Sequence, residues 1–199
     1  MGKTEEQVWI FPACVLTKLK DLPGVSLNPS DWRVFHEEVL PVCRFMCRED
    51  VETAATLLQV IPYSVVKCDD KILVYNRGNK GGEGRLANKY SIGVGGHINP
   101  VDNRIGGPLI TLREAAAREL REELTPVEPE THMIVALLQS NESVVDVVHF
   151  GVVMEARYLS MPTIEASEEI ASYQWVTTEE LGEYELESWS QKVYEKLYK

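Results

Sequence analysis

The chain has 199 residues, of which 44% are apolar and 26% charged, a composition typical of a soluble globular protein with a well-buried core. Its formal net charge of −11 and the absence of any run of lysine or arginine argue against a nucleic-acid binder, which would present a basic patch. No apolar run is long enough to cross a bilayer, and the four cysteines match neither a zinc motif nor a disulfide framework. We therefore expect a reduced, cytoplasmic protein that does not bind membranes.

The first sixty residues carry strand and helix signals but no motif that indicates a function. Residues 8–16 predict a strand. A helix is predicted to open at Pro29 and to be interrupted by Pro41, with Trp32, Phe35 and Val39 on one side. Residues 48–58 predict a second helix.

From residue 60 the pattern changes to β-structure. Residues 60–67 and 71–76 predict a hairpin, and residues 91–98 predict a strand that closes on the glycine pair Gly95-Gly96. Further strands are predicted over residues 132–139, 144–156 and 170–176. Near the end, Thr177 and Glu180 have capping-box spacing before a short helix, and an amphipathic helix carries Leu186, Trp189, Val193 and Leu197.

Residues 111–124 predict a helix and are the most informative stretch of the chain. Three consecutive alanines favour helix, and Leu112, Leu120 and Leu124 recur along one side. Thr111 and Glu114 have the spacing of a capping box, which predicts that the helix begins there.

Three carboxylates share one face of this helix, because Glu119, Glu122 and Glu123 stand at i, i+3 and i+4. Such close like charges repel one another unless a cation lies between them. Hard divalent ions such as Mg²⁺ or Mn²⁺ prefer carboxylate oxygens. A solvated acidic surface is the alternative interpretation, and the sequence just upstream argues against it.

A glycine-pair strand, a loop and then Arg-Glu-Leu-Arg-Glu-Glu on a helix resemble the Nudix hydrolase box, G-x5-E-x7-R-E-U-x-E-E-x-G-U, where U is a bulky aliphatic residue. Gly96 matches the opening glycine of the box. Its second half is matched residue for residue by Arg118, Glu119, Leu120, Glu122 and Glu123.

The first half of the box departs from the family pattern. Ile110 stands where the box has its early glutamate, Thr125 stands at the closing glycine, and residues 97–109 form a turn-rich insertion eight residues longer than usual. The early glutamate normally helps to support the helix arginine. Arg118 must therefore find another partner, and Glu114 and Glu122 are both within one helical turn.

The resemblance covers residues 60–199 and implies an α+β fold, a mixed β-sheet sandwiched between helices. Residues 1–59 would then be an N-terminal extension of unknown role. The implied activity is hydrolysis of a nucleoside diphosphate linked to another group, in which Mg²⁺ or Mn²⁺ activates the attacking water.

The resemblance also implies roles for individual residues. Glu119 and Glu123 are expected to be the main metal ligands, and Glu122 a shared ligand or the base that accepts a proton from water. The Gly95 carbonyl would be a weaker ligand, and Glu169 a distant carboxylate recruited to the site. Catalysis would thus depend on Glu119, Glu122 and Arg118.

Three further residues are candidates for binding the substrate. Arg77 and Arg85 flank the glycine-rich loop beside the sheet and could bind phosphates as forked donors. His97 directly follows the glycine pair and could contact a phosphate. For the arginines the alternative is a solvated loop cation, and for His97 it is a structural hydrogen bond.

Other functions remain open from the sequence. Ile110 and Thr125 would also suit a Nudix-fold protein that binds a ligand without turning it over. An acidic-helix interaction protein would explain the glutamates but not the glycine pair. An isopentenyl diphosphate isomerase is disfavoured because no cysteine lies in the strand before the glutamate helix. The N-terminal segment could serve a homodimer.

Overall fold

The computed structural model describes residues 6–77, 89–124 and 127–199. The strands are β1 (Gln7–Pro12), β2 (Gly24–Ser26), β3 (Arg44–Cys47), β4 (Leu57–Cys68), β5 (Lys71–Asn76), β6 (Tyr90–Ser91), β7 (Gly93–Val94), β8 (Thr131–Gln139), β9 (His149–Tyr158) and β10 (Ser172–Thr177). The α-helices are α1 (Pro29–Val34), α2 (Arg48–Val51), α3 (Pro108–Glu123) and α4 (Ser188–Leu197). Arg85 and Thr125, both named in the sequence analysis, lie outside the described residues.

The chain divides into two compact units, and several strands contribute to both. The first unit comprises the chain up to Pro62 together with Gly96–Ala116 and Val135–Val153. The second comprises Tyr63–Gly95, Ala117–Ile134 and Met154–Lys199. Strands β4, β8 and β9 each have residues in both units, and β9 lies between β4 and β8 in the sheet.

In the first unit, β1 pairs antiparallel with both β3 and β4, and β2 pairs antiparallel with β8. The alternating apolar residues of β1 form a small core in which Val8 and Ile10 pack with Val51. Phe150 on β9 contacts Phe11 edge-on, with ring centroids 5.2 Å apart, and stacks on Phe35 at 5.9 Å. This unit therefore has an apolar core that depends on N-terminal residues.

In the second unit, β5 lies between β4 and β10 and pairs antiparallel with both of them. The predicted hairpin is present: Cys68 pairs with Lys71, and Asp69 adopts a left-handed conformation with φ of 53° in the tight turn. Capping by Thr177 and Glu180 is reciprocal, because each backbone N–H donates to the other side chain. The predicted α+β fold with a mixed sheet is confirmed.

The prediction of a helix over residues 48–58 is wrong for most of that range. Helix α2 ends at Val51, and the backbone turns as Ala54 N–H donates to the Val51 carbonyl at 3.1 Å. Leu57 and Leu58 already belong to β4, where they pair with Pro12 and Phe11 of β1. Pairing with a distant strand therefore overrides the local helix preference of this segment.

No helix within the described parts of the chain combines the length and the apolar character needed to span a bilayer.

A buried carboxylate in the first turn of α1 binds the chain segment before it. Asp31 is almost fully buried and accepts hydrogen bonds from Ser26 Oγ at 2.6 Å and from the backbone N–H groups of Lys20 and Asp21 at 2.9 and 3.1 Å. Burial opposes ionisation, but these donors outweigh it and hold the pKa of Asp31 below its usual value. The loop before β2 is thus tied to α1 through a single charged group.

We expect Asp31→Asn to lower the free energy of unfolding by about 2 kcal/mol at pH 7, because an amide cannot accept all three hydrogen bonds. A depressed folded-state pKa means that the carboxylate stabilises the fold above its unfolded pKa of about 3.9. The difference between wild type and variant should therefore shrink as the pH falls below about 4. Urea unfolding at several pH values measures this. Glu38→Gln, which removes only an exposed ion pair with Lys18, should cost less than about 1 kcal/mol.

Candidate active site

Helix α3 is held in the second unit by its apolar side. Leu120 and Leu124 are buried in a core cluster of the second unit with residues from the neighbouring strands, namely Val66, Cys68, Leu73, Tyr75, Val94, Ala156 and Tyr158. Glu119, Glu122 and Glu123 flank these leucines in sequence. The apolar periodicity that predicted the helix therefore also sets which way the carboxylates project.

The helix begins one turn earlier than the capping box predicted. Its first residue is Pro108, which suits the first turn because proline has no N–H to satisfy, and it follows Gly107 with φ of 91°. Thr111 is buried inside the helix, and its N–H donates to the Gly107 carbonyl at 3.2 Å. Glu114 lies 3.9 Å from Arg104. The cap prediction is wrong because proline and glycine set the start.

Arg118 joins two of the three carboxylates. Its Nη1 donates to Glu119 Oε1 at 2.7 Å and to Glu122 Oε2 at 3.0 Å. Of the two partners expected from the sequence, Glu122 makes the contact one helical turn away, and Glu114 pairs with Arg104 instead. One guanidinium nitrogen therefore bridges the two carboxylates and holds them close together.

The two bridged carboxylates differ in their exposure. The Glu119 side chain is 12% exposed and the Glu122 side chain is 57% exposed. Burial raises the pKa of Glu119 to about 7, although the charge and hydrogen bond of Arg118 act in the opposite direction. Glu119 is thus a buried carboxylate whose negative charge is only partly compensated, whereas Glu122 can move into solvent.

Glu123 is oriented by a residue that the sequence analysis did not single out. Ser167 Oγ donates to Glu123 Oε2 at 2.5 Å, and Ser167 N–H donates to the Glu123 carbonyl at 2.9 Å. Glu165 N–H also donates to the Leu124 carbonyl at 2.6 Å. A serine far along the chain carries no local signal of this contact, so only the fold reveals it.

The same segment brings Glu169 toward the end of α3. Its N–H donates to Ser167 Oγ at 3.3 Å, and Ile170 N–H donates to the Ser167 carbonyl at 3.1 Å. The turn formed by these bonds follows directly on the contact between Ser167 and Glu123. Glu169 is exposed, so its carboxylate is accessible from solvent.

The glycine strand lies in the second unit and is shorter than predicted. Only Gly93 and Val94 form β7, and Gly95 follows it. Tyr75 Oη donates to the Gly93 carbonyl at 2.8 Å. A Cβ at Gly93 would lie 2.0 Å from the Tyr63 ring, so close approach of the ring requires glycine here.

Arg77 is partly buried beside Tyr75 rather than extended into solvent. Its Nη2 lies 3.5 Å from Tyr75 Oη, a long hydrogen bond. The neighbouring tyrosine raises the pKa of Arg77, so the side chain stays cationic. Arg77 therefore provides a positive charge next to the strand that carries Gly93.

His97 lies beside two polar side chains of the first unit, those of His149 and Glu6. Its Nε2 faces His149 Nε2 at 3.4 Å, and its Nδ1 lies 3.7 Å from Glu6 Oε1. Burial, together with the charges of Arg48 and His149, lowers the pKa of His97 to about 3, whereas Glu6 acts in the opposite direction. His97 is thus a neutral imidazole at physiological pH.

Within residues 6–77, 89–124 and 127–199, no three or more His, Cys, Asp or Glu side chains are already arranged as a metal-binding cluster. On α3 the positive charge beside Glu119 and Glu122 is supplied by the Arg118 guanidinium. The carboxylate oxygens of Glu119, Glu122 and Glu123 nevertheless form a donor set that suits a hard divalent ion.

A model of the NUDIX domain matches residues 60–197, which contain α3 and the three glutamates. The chain belongs to the NUDIX domain family. The Bacillus subtilis protein YmaB is 32% identical over 203 residues, which cover 97% of this chain and 98% of YmaB. The likeness to YmaB therefore extends through the segment before residue 60 as well.

Solved structures show the same Nudix fold. Tm1382 superposes with a TM-score of 0.80 over 97% of this chain and 98% of its own, at 22% identity. The NUDIX domain of Shewanella oneidensis NrtR, solved with ADP ribose, gives a TM-score of 0.53 over 68% of this chain and 83% of its own, at 16% identity. A bifunctional NMN adenylyltransferase/ADP ribose pyrophosphatase from Francisella tularensis, solved with AMP and a manganese ion, gives 0.51 over 69% of this chain and 40% of its own, at 17% identity.

Proposed function

We propose that this Nudix protein is a metal-dependent hydrolase that cleaves the diphosphate of a nucleoside diphosphate linked to another group. The observation that carries the proposal is the arrangement on α3, where Arg118 bridges Glu119 and Glu122 while Ser167 holds Glu123. A merely solvated acidic surface would not place one of its carboxylates in a largely buried position. The divergence at Ile110 leaves these contacts in place.

The residues present suit Mg²⁺ or Mn²⁺. Glu119 and Glu123 would be the main ligands, with Glu122 shared and the Gly95 carbonyl a weaker ligand; Glu169 would supply an additional carboxylate. A bound divalent ion would lower the pKa of the attacking water and neutralise charge on the phosphates. The uncompensated charge of buried Glu119 favours an additional cation.

Each side chain has a specific task in this proposal. Glu122 is the most exposed of the three carboxylates and accepts the proton of the attacking water. Arg118 holds Glu119 and Glu122 in fixed rotamers, and Ser167 does the same for Glu123. Arg77, Arg85 and His97 are the candidate donors to the substrate phosphates.

The substrate class follows from the same chemistry. A diphosphate carries enough negative charge to need both a metal ion and cationic side chains, and the partly buried Arg77 provides one of these. The NrtR domain and the Francisella tularensis enzyme, solved with ADP ribose and with AMP, support a nucleotide-like ligand.

The proposal is tested by a substrate panel assayed for phosphate release with Mg²⁺ or Mn²⁺. The panel should contain nucleoside diphosphate sugars, dinucleoside polyphosphates and nucleoside triphosphates. We expect turnover of at least one nucleoside diphosphate derivative, and loss of that turnover after chelation by EDTA. Binding of a panel member without turnover would instead support a ligand sensor.

Glu122→Gln should lower kcat far more than it changes KM. A group that accepts the proton of the attacking water acts mainly in the transition state, so we expect a loss in kcat of at least about a hundredfold, or roughly 3 kcal/mol. Steady-state kinetics on the best panel substrate measure both constants. Glu128→Gln is the matched control, since Glu128 pairs with Arg121 at the surface. A Glu122→Gln variant with nearly full kcat would place the base elsewhere.

A further inference from the structure

Buried polar side chains join the start of helix α4 to residues 90–95, which we call the glycine segment. Glu187 lies just before α4, Ser190 lies in its first turn, and both contact Ser91 of β6. Ser190 has no exposed surface, and Ser91 is nearly buried. All of these residues belong to the second unit. The proposed hydrolysis gives their side chains no role, so the contact calls for its own explanation.

Three hydroxyl groups converge on one oxygen of Glu187. Its Oε1 lies 3.0 Å from Ser91 Oγ, 3.0 Å from Ser190 Oγ and 3.2 Å from Tyr63 Oη. A carboxylate only accepts hydrogen bonds, so Glu187 orients the hydroxyl protons around it. Burial and, after it, the charge of Glu187 raise the pKa of Tyr63, so the phenol keeps its proton at physiological pH.

The two serines pass this contact on to the backbone of the glycine segment. Ser190 Oγ accepts a hydrogen bond from Ile92 N–H at 3.0 Å. Ser91 Oγ lies between Glu187 and the Gly93 carbonyl oxygen, which is 3.1 Å away and also accepts from it. The start of α4 is thus connected to both a donor and an acceptor of this backbone.

The strands of the glycine segment are too short to fix their own register. Both β6 and β7 have two residues, and a slip of one residue would turn each side chain to the opposite face of the sheet. Val94 of β7 is buried in the core cluster that contains Leu120 and Leu124 of α3, and a slip would remove it from that core. The polar contacts to α4 therefore help to set the register.

The glycine segment leads directly into the proposed site. Gly95, whose carbonyl is a proposed metal ligand, stands two residues after Gly93. The Gly93 carbonyl also accepts from Tyr75 Oη at 2.8 Å, and this hydroxyl lies 3.5 Å from Arg77 Nη2. Tyr75 and, less strongly, Glu187 raise the pKa of Arg77. The same network therefore reaches a proposed metal ligand and a proposed phosphate donor.

We propose that Glu187 and Ser190 are positioning residues of the hydrolase, and that they hold the glycine segment so that the Gly95 carbonyl is placed for binding the metal ion. A buried network in which the polar groups are paired makes a segment rigid and selects one arrangement of it. Neither side chain contacts the metal or the substrate. The inference rests on the proposed function, because it takes Gly95 as a metal ligand.

Carbonyl NMR during a Mg²⁺ titration of the full chain tests this without any substrate. In the wild type, Mg²⁺ should shift the carbonyl resonance of Gly95. Ser190→Ala removes the acceptor of Ile92 N–H, and we expect it to raise the Mg²⁺ concentration at half-maximal shift about tenfold, as loss of an outer partner of a metal ligand does. Glu187→Ala should act in the same direction, whereas Glu187→Gln keeps an acceptor oxygen and should recover most of the affinity.

Tyr198→Phe is the matched control. It also removes a partly buried hydroxyl that donates to a carboxylate, that of Glu155 at 2.8 Å, and it lies in the same unit. We expect this variant to keep the magnesium midpoint of the wild type. Equal midpoints in the wild type, Ser190→Ala and Glu187→Ala would overturn the positioning role. A Gly95 carbonyl that Mg²⁺ does not shift in the wild type would overturn it as well.

Amide hydrogen exchange in the wild-type chain decides the question if the variants do not fold. Coupling between two sites acts in both directions, so bound Mg²⁺ should strengthen the contact to Ser190. Mg²⁺ should therefore slow exchange at Ile92 N–H more than at Glu130 N–H, which donates to the Arg157 carbonyl and reports the stability of the unit. Equal slowing at both amides would contradict the inference.

The proposed hydrolysis can fail separately from this inference. A wild-type chain that shows the magnesium effects at Gly95 and Ile92 but turns over no substrate of the panel would refute the hydrolase and leave the positioning role in place. A chain that turns over substrate while Mg²⁺ leaves the Gly95 carbonyl unshifted would refute the positioning role alone.

Discussion

Replacing Glu119 and Glu123 together by glutamine should remove Mn²⁺ binding on α3 and lower kcat/KM at least about a thousandfold, or roughly 4 kcal/mol. The amides keep the size and helix preference of the glutamates but lose the two charged oxygens on which binding a hard cation depends. Manganese calorimetry on wild type and double variant measures the first effect, and the panel assay measures the second.

Glu114→Gln is the matched control for this experiment. Glu114 lies on the same helix and pairs with Arg104 at 3.9 Å, so its loss should leave manganese affinity and turnover unchanged. Equal and weak manganese binding by wild type and the double variant would refute a metal site on α3. Turnover that survives in the double variant would show that hydrolysis does not use these carboxylates.

The second large effect is expected at Arg118. Arg118→Ala should reduce kcat/KM by at least about tenfold, or roughly 1.4 kcal/mol, because Glu119 and Glu122 lose the donor that fixes both of them. The loss should fall mainly on kcat, since misplaced carboxylates weaken the transition state more than substrate binding. Arg118→Lys should recover only part of the activity, because a single ammonium group lacks the planar donors of arginine.

Two controls separate positioning by Arg118 from a general effect on the helix. Arg121→Ala removes an arginine of α3 that pairs with Glu128 at the surface, and it should leave kcat/KM nearly unchanged. Ile110→Glu restores the family's early glutamate in the first turn of α3 and should also change activity little, because Arg118 already has two partners. Strongly raised activity in Ile110→Glu would show instead that the protein has lost a glutamate that its Nudix box still needs for full activity.

The glutamate helix was predictable because its signals are local. Leucines at helical spacing and the order of Glu119, Glu122 and Glu123 specify both the helix and the face that carries the carboxylates. The β4–β5 hairpin and the capping box of Thr177 and Glu180 were predictable for the same reason, since each depends on residues close in sequence. The partner of Arg118 also lay within one helical turn.

The predictions that were wrong concern segments in which distant residues or backbone geometry compete with a local sequence pattern. Leu57 and Leu58 suit a helix by composition, but pairing with β1 places them in a strand. Thr111 suits a cap, but Pro108 and the left-handed Gly107 begin the helix a turn earlier. Side-chain spacing does not encode these outcomes.

The sequence alone predicted the family and the fold class, and it put three carboxylates on one helix, because these features depend on short-range order along the chain. Tertiary structure decided what surrounds them. It buried Glu119 while leaving Glu122 exposed, and it brought Ser167 to Glu123 across 44 positions of the chain. It also set His97 against His149, 52 positions away. Burial and contacts between distant segments arise only when the chain folds, and they set the charge and orientation of each catalytic candidate.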